Sequence, residues 1–151
     1  MQAEVNSHLA DYRLSNDMCE VDWPRVHSWL ASSYWTPGIS LERVKRAAEN
    51  SALVFSAFKN NVQVGFLRVV SDRTRFAYHC DVWIDAPHRG RGLARQMVHA
   101  ALNHPDFTNC NWLLATQDAH GVYAKLGFTP LPNPERFMVR GKFGAVQNVA
   151  G

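Results

Sequence analysis

Residues 76–104 read FAYHCDVWIDAPHRGRGLARQMVHAALNH. The first ten are rich in aromatic and β-branched residues and predict a strand over 76–85. On the strand period of two, Phe76, Tyr78, Cys80, Val82 and Ile84 form one face. Ala77, His79, Asp81, Trp83 and Asp85 form the other. From Leu93 the period changes. Leu93, Ala94, Met97, Val98, Ala101 and Leu102 share one helical face, and Pro105 ends the helix. The apolar run NWLLAT (111–116) follows, as expected of a strand buried on both sides. Strand, helix and buried strand in this order predict a parallel crossover.

The segments before it predict antiparallel pairing. SALVFSAFK (51–59) and VQVGFLRVVS (62–71) flank Asn60-Asn61, two residues that tolerate positive φ, so a hairpin is expected. With 76–85 it makes a three-strand meander. DYRLS (11–15) is a short first strand. Asp22 caps a helix that opens on Trp23-Pro24 and carries Val26, Trp29, Leu30 and Tyr34 at helical spacing. SYWTPGIS (33–40) breaks it at Pro37-Gly38. Ser40 caps a second helix with Leu41, Val44 and Ala48 inward and Glu42, Arg43, Lys45 and Arg46 outward. Downstream, a helix of about two to three turns is expected from around Asp118 to Leu126, stopped by Gly127. TPLPNPE (129–135) is a loop, FMVR (137–140) a last strand, and 141–151 a loose tail. The fold class is α/β (α+β): a mixed, mostly antiparallel sheet of about six to seven strands flanked by about four helices. One domain over 1–151 is expected, with its core over about 10–140.

Composition narrows the partners. The 151 residues carry a net charge of +3, too small a surplus for a general nucleic-acid binder. No apolar run approaches the roughly 20 residues that span a bilayer, so no membrane partner is expected. The first twenty residues lack a basic start followed by an apolar stretch, so no signal peptide is expected. Cys19, Cys80 and Cys110 form no CxxC pair, and the seven histidines form no HExxH. No metal site is expected, and a reduced, cytoplasmic setting is the simplest reading.

The turn between strand and helix carries the chemistry. Arg89-Gly90-Arg91-Gly92-Leu93-Ala94 joins two glycines, which let a ligand approach the main chain, to a helix start with unpaired N–H groups. Two arginines stand beside them. Such a turn suits a phosphate or pyrophosphate. It is neither a P-loop nor a dinucleotide fingerprint. An RNA contact through RGRG would want interleaved exposed aromatics and a wider basic face.

Arg89, Gly92 and Ala94 match the pattern R-x-x-G-x-A, which resembles the acyl-CoA pyrophosphate loop of the GNAT superfamily of N-acetyltransferases. Asp81-Val82-Trp83-Ile84 resembles that family's D-L-Y-V strand ending. Ala119 and the run Tyr123-Ala124-Lys125-Leu126-Gly127-Phe128 resemble its A-x-x-x-Y-x-K-x-G-F. The resemblance covers about residues 10 to 140, and DAHGVYAKLGFTPL is similar to small bacterial members. It implies transfer of an acetyl group from acetyl-CoA to an amine by direct attack. In the family the pantetheine arm lies where the fourth and fifth strands splay, here against the backbone of Val82, Trp83 and Ile84. The pyrophosphate takes N–H groups from Arg89, Gly90, Arg91, Gly92, Leu93 and Ala94. Dimers are common in the family, so a homodimer is an expectation.

Individual roles follow from the resemblance. Tyr123 matches the general acid that protonates the departing thiolate. A phenol of pKa about 10 needs positioning help to do so for a thiol of about 8.5. For the base, Asp81 is the nearest carboxylate, with a structural strand-end carboxylate as the equal alternative. His120, three residues before Tyr123 on the same helical face, is a second candidate. Tyr78 and Cys80 stand where family members often carry Glu or His, which leaves room for a water relay. Thr116 falls at a position where many relatives use Asn to bond the CoA arm, and Ala119 lies in the motif beside it. On the acceptor side Tyr34, Trp35 and Tyr78 are placed to wall a pocket for a small-molecule amine, with Trp83 and Phe137 nearby and Trp29 in the core. Three other readings stand beside small-molecule N-acetylation: a peptide or protein acetyltransferase, a non-catalytic acyl-CoA-binding regulatory module, and an RNA-binding module.

Overall fold

The two asparagines between the central apolar runs behave as their chemistry predicts. Asn60 and Asn61 take φ of 50° and 64°, the pair of left-handed residues that a tight hairpin turn requires. The structure, a computed structural model, describes residues 11–142. The hairpin they close joins β2 (Leu53–Lys59) to β3 (Val62–Ser71). β1 (Tyr12–Ser15) pairs antiparallel with β2, and β4 (Phe76–Ile84) pairs antiparallel with β3. The turn into β4 is held by Asp72, whose carboxylate accepts the N–H groups of Thr74, Arg75 and Phe76. β5 (Asn111–Leu113) lies parallel to β4, so the order is β1-β2-β3-β4-β5.

Caps set the helices. Asp22 accepts from Arg25 N–H to start α1 (Trp23–Ala31), and Ser40 accepts from Arg43 N–H to start α2 (Leu41–Glu49). These two helices cover one face of the sheet. Val26, Trp29, Leu30, Val44 and Ala48 are buried there with Val54 and Phe66, and Trp83 packs against them. Trp29 is in the core as expected, while Leu41 is exposed. On the opposite face α3 (Leu93–Leu102) buries Leu93, Met97, Val98 and Ala101, each large apolar side chain worth about 1.5–3 kcal/mol. Leu67, Val69, Ala77 and Ile84 are also buried.

The chain divides into two compact units, Met1–Leu114 and Ala115–Gly151. The sheet, α1, α2 and α3 belong to the first. The second, described over 115–142, holds α4 (His120–Ala124), shorter than the sequence suggests, and Gly127 ends it with φ of 92°.

β5, with Asn111 exposed and Trp112 and Leu113 half-buried, is shorter and less buried than expected of 111–116, and two further expectations change. Among the described residues the sheet has five strands, fewer than the six to seven expected. FMVR (137–140) joins no ladder, and Met138 is 98% exposed. Prolines 130, 132 and 134 remove donors just before it, and Gly141 turns the chain just after it at φ of 100°. The second change is within β4. Phe66 opposes Trp83 and Arg68 opposes Cys80, so Leu67 alone faces both Asp81 and Val82. This β-bulge places Asp81 at φ of 55°. Beyond it the alternation reverses, and Trp83 joins the face of Tyr78 and Cys80 rather than that of His79. Residues 1–10 and 143–151 lie outside the described residues, and with them most of the tail expected at 141–151.

Candidate active site

The turn after β4 is built to present backbone. Gly90 and Gly92 take φ of 77° and 80°, and a Cβ at either would meet nothing within 4 Å. The main chain there faces open space that a bound group can fill. Gly92 is the N-cap of α3 and supplies no capping side chain; Gln96 N–H donates back to Gly92 O at 3.0 Å. The N–H groups of the first turn before Gln96 stay available, at the positive end of the helix. This cradle suits a phosphate or pyrophosphate.

Arg89 has a different task from its neighbours. Its Nε donates to Ile84 O at 2.8 Å and its guanidinium lies 5.0 Å from the centre of the Trp83 ring. Its own N–H donates to Ala86 O at 3.3 Å. Arg89 thus ties the loop to the end of β4, while Arg91 is exposed. The preceding turn is braced twice more. Tyr12 Oη bonds His88 Nδ1 at 2.8 Å, and Arg25 pairs with Asp85 at 2.6 Å.

The β4–β5 ladder covers only Phe76, Ala77 and Tyr78. From His79 to Ile84 the described strands leave β4 paired with β3 alone, so Val82, Trp83 and Ile84 lie along an open edge. Trp83 Nε1 is buried with no hydrogen-bond partner among the described residues.

Asp81 sits at the bulge with both oxygens engaged. Oδ2 receives Arg68 Nε at 2.6 Å and Oδ1 receives Trp35 Nε1 at 2.8 Å. Its side chain is 10% exposed and that of Arg68 19%. Burial opposes the charge of Arg68, but Asp81 beside it, with Cys80 and Tyr78, holds the guanidinium pKa above its usual value. Burial pushes the Cys80 thiol up to about 11 and the Tyr78 phenol up to about 12. Both are neutral near pH 7 and neither supplies a base there. Trp35 stacks edge-on with Tyr34, with ring centres 4.9 Å apart, and lies 5.9 Å from Trp83. The first unit therefore gathers Trp35, Asp81, Trp83 and Arg89 around the end of β4.

In the second unit Thr116, Ala119, His120 and Tyr123 fall on one short segment. Thr116 Oγ1 accepts from Ala119 N–H at 3.0 Å and so shapes the entry to α4. His120 is exposed and Tyr123 half-buried, its ring 5.8 Å from that of Phe128. Phe137 is 56% exposed. Among the described residues no three His, Cys, Asp or Glu cluster in a way that could hold a metal. No described helix is long and apolar enough to cross a membrane.

Arg68 is the residue that sequence reading missed. Its signal was present: a lone charge inside GFLRVV, one hairpin away from Asp81.

Comparison with known proteins bears on the family and the fold. Residues 12–128 match the model of the acetyltransferase (GNAT) family. A GNAT-family structure from Xanthomonas campestris pv. campestris is 38% identical, covers 90% of this chain and 96% of its own, and superposes with a TM-score of 0.84. A Clostridium acetobutylicum acetyltransferase structure with acetyl-CoA is 18% identical over 87% of this chain and 96% of its own, with a TM-score of 0.66. Glucosamine-6-phosphate N-acetyltransferase from Arabidopsis thaliana is 11% identical over 86% and 97%, with a TM-score of 0.60. The last two share the fold alone. No curated protein matches the chain.

Proposed function

Because this chain belongs to the GNAT acetyltransferase family, we propose that it transfers the acetyl group of acetyl-CoA to a primary amine of a small molecule. The observation that carries the reading is the Gly90–Gly92 cradle, with its open backbone at the start of α3, directly after the unpaired edge of β4. Acetyl-CoA supplies the thioester carbonyl that the amine attacks. Gly90 to Ala94 hold the diphosphate through backbone donors, Arg89 keeps that loop against β4 through the Ile84 carbonyl, and the rest of the β4 edge from Val82 to Ile84 takes the pantetheine arm. Thr116 and Ala119 are the further cofactor contacts in this reading.

Tyr123, on the strength of the motif around it, donates its phenolic proton to the departing sulfur. The acceptor ammonium must lose a proton before it attacks, and His120 or a relayed water takes it. Tyr34, Trp35 and Tyr78 line the acceptor side. Aromatic walls favour an amine with an apolar or cationic body.

A thiol-release assay with acetyl-CoA over a panel of primary amines tests this. Wild type is expected to turn over at least one amine. Tyr123→Phe is expected to lose about 100-fold in kcat with the KM for acetyl-CoA kept. An unchanged kcat removes the acid role from Tyr123. Binding of CoA with no turnover of any amine points instead to a non-catalytic module.

A further inference from the structure

We propose that Arg68 and Asp81 form a latch that holds the 33–38 loop, through the Trp35 indole, against the bulge of β4, making Asp81 a positioning residue for the acceptor. The placing of the acceptor beside this loop rests on the function proposed above; the latch itself does not.

The base of the loop is fixed locally to α1. Ser33 Oγ and Thr36 Oγ1 both donate to Leu30 O, and Gly38 N–H donates to Ala31 O at 2.9 Å. His27 Nε2 bonds Ile39 O at 2.9 Å where the loop ends. The tip is different. Tyr34 and Trp35 are exposed. The bond from Trp35 Nε1 to Asp81 Oδ1, 46 residues away in sequence, ties that tip to the sheet, with the ring contact to Trp83 beside it. The acceptor of that bond is itself immobilised. Asp81 is held by Arg68 at 2.6 Å, and Arg68 is held in turn by Ser51 Oγ at 3.3 Å.

The backbone serves the same end. In the left-handed conformation of the bulge, which Asp tolerates better than most residues, the carboxylate reaches Arg68 on β3 and Trp35 on the loop together. A carboxylate already receiving a guanidinium and an indole is poorly placed to take a proton from an ammonium. It is well placed to keep an aromatic wall at constant distance from β4.

The test uses the full-length protein with Trp35→Phe and Asp81→Asn. Trp35→Phe keeps a surface ring while removing the donor, and the position is exposed, so the fold survives it. Hydrogen exchange of the amides of residues 34–36 is expected to accelerate about tenfold in both variants, the effect of losing one charge-assisted bond. Exchange in α1 and β2 stays as in wild type. Steady-state rates with the best amine of the panel are expected to show the acceptor KM raised about tenfold, with the acetyl-CoA KM and kcat within about threefold of wild type. Arg68→Lys, which keeps the charge, retains most of the wild-type acceptor KM. Unchanged exchange at 34–36 in both variants overturns the latch. A fall in kcat for Asp81→Asn with the acceptor KM untouched overturns the positioning role and makes the carboxylate the base. If wild type acetylates no amine, the proposed function fails, yet the exchange measurement still decides the latch.

Discussion

Gly65 shows how little room separates the sheet from α3. A Cβ added there would lie 2.9 Å from Met97 Sδ, and 3.1 Å from both Ala57 Cβ and Ile84 Cδ1. Ala57 Cβ is carried rigidly by β2 and the other two atoms belong to buried side chains, so Gly65→Ala is expected to cost about 1–3 kcal/mol by overpacking. Urea unfolding measures it. Combined with Met97→Ala, the loss should be smaller than the sum of the two single losses, because the shortened side chain makes the room. At this scale the sequence is a partial guide. The acidic residue before the loop and the tyrosine of the last motif are visible in the string as types at known spacing. That Asp81 would meet Arg68 and Trp35 is not, because those contacts depend on a register shift of one residue and on a loop side chain 46 positions away.

Elements with a local cause are the ones that the sequence announces. Asp22, Ser40 and Gly127 mark helix ends through their own side chain or backbone, and the structure has all three in those roles. The β2–β3 hairpin is the same case and yields a prediction. Asn61→Gly relieves a left-handed asparagine and should leave thermal stability unchanged or slightly raised. Asn61→Val forces a β-branched residue into φ of 64° and should cost about 1–2 kcal/mol. Calorimetric melting of the pair checks both signs. FMVR is the counter-example. Its composition suits a strand, but a strand also needs a partner backbone, and that requirement is written elsewhere in the chain. α4 is shorter than its spacing suggests for a similar reason: within it no residue is buried to extend the helix.

At the scale of the whole molecule, buried neutral groups set how stability follows pH. Burial lowers His79 from 6.5 to about 4, so the native state keeps it uncharged while the unfolded chain protonates it. Stability is complete above pH 6.5 and falls as pH drops toward 4, by roughly 3 kcal/mol over that window. Asp72, held near 2 by the backbone donors of Arg75, Phe76 and Thr74, adds a further loss below pH 3.8. On the alkaline side Cys80 works in the opposite sense. Its stabilisation is present below pH 9 and is lost as pH rises through about 11. Denaturant midpoints at pH 7.5, 5.5 and 4.5 should fall in that order, and His79→Gln should flatten the fall. A midpoint independent of pH across this range would mean that His79 is hydrated. The arrangement of the sheet was legible because hairpin, crossover helix and Gly-rich turn occur in an order that few topologies satisfy. The division at Leu114–Ala115 left no compositional mark.

The bulge at Asp81 also makes β4 a strand with two reading frames. Before it, tolerance of a polar substitution follows one parity; after Val82 it follows the other. A saturation scan of residues 76–84 would therefore show its pattern of forbidden positions jump by one at the bulge. Removing Val82 would delete the bulge itself and leave an even ladder, with Trp83 still opposite Phe66 and Ile84 still opposite Gly65. Asp81, now alone against Leu67, would turn to the face away from Arg68 and Trp35, so that a single lost codon would spare the strand and strip one carboxylate of both its partners.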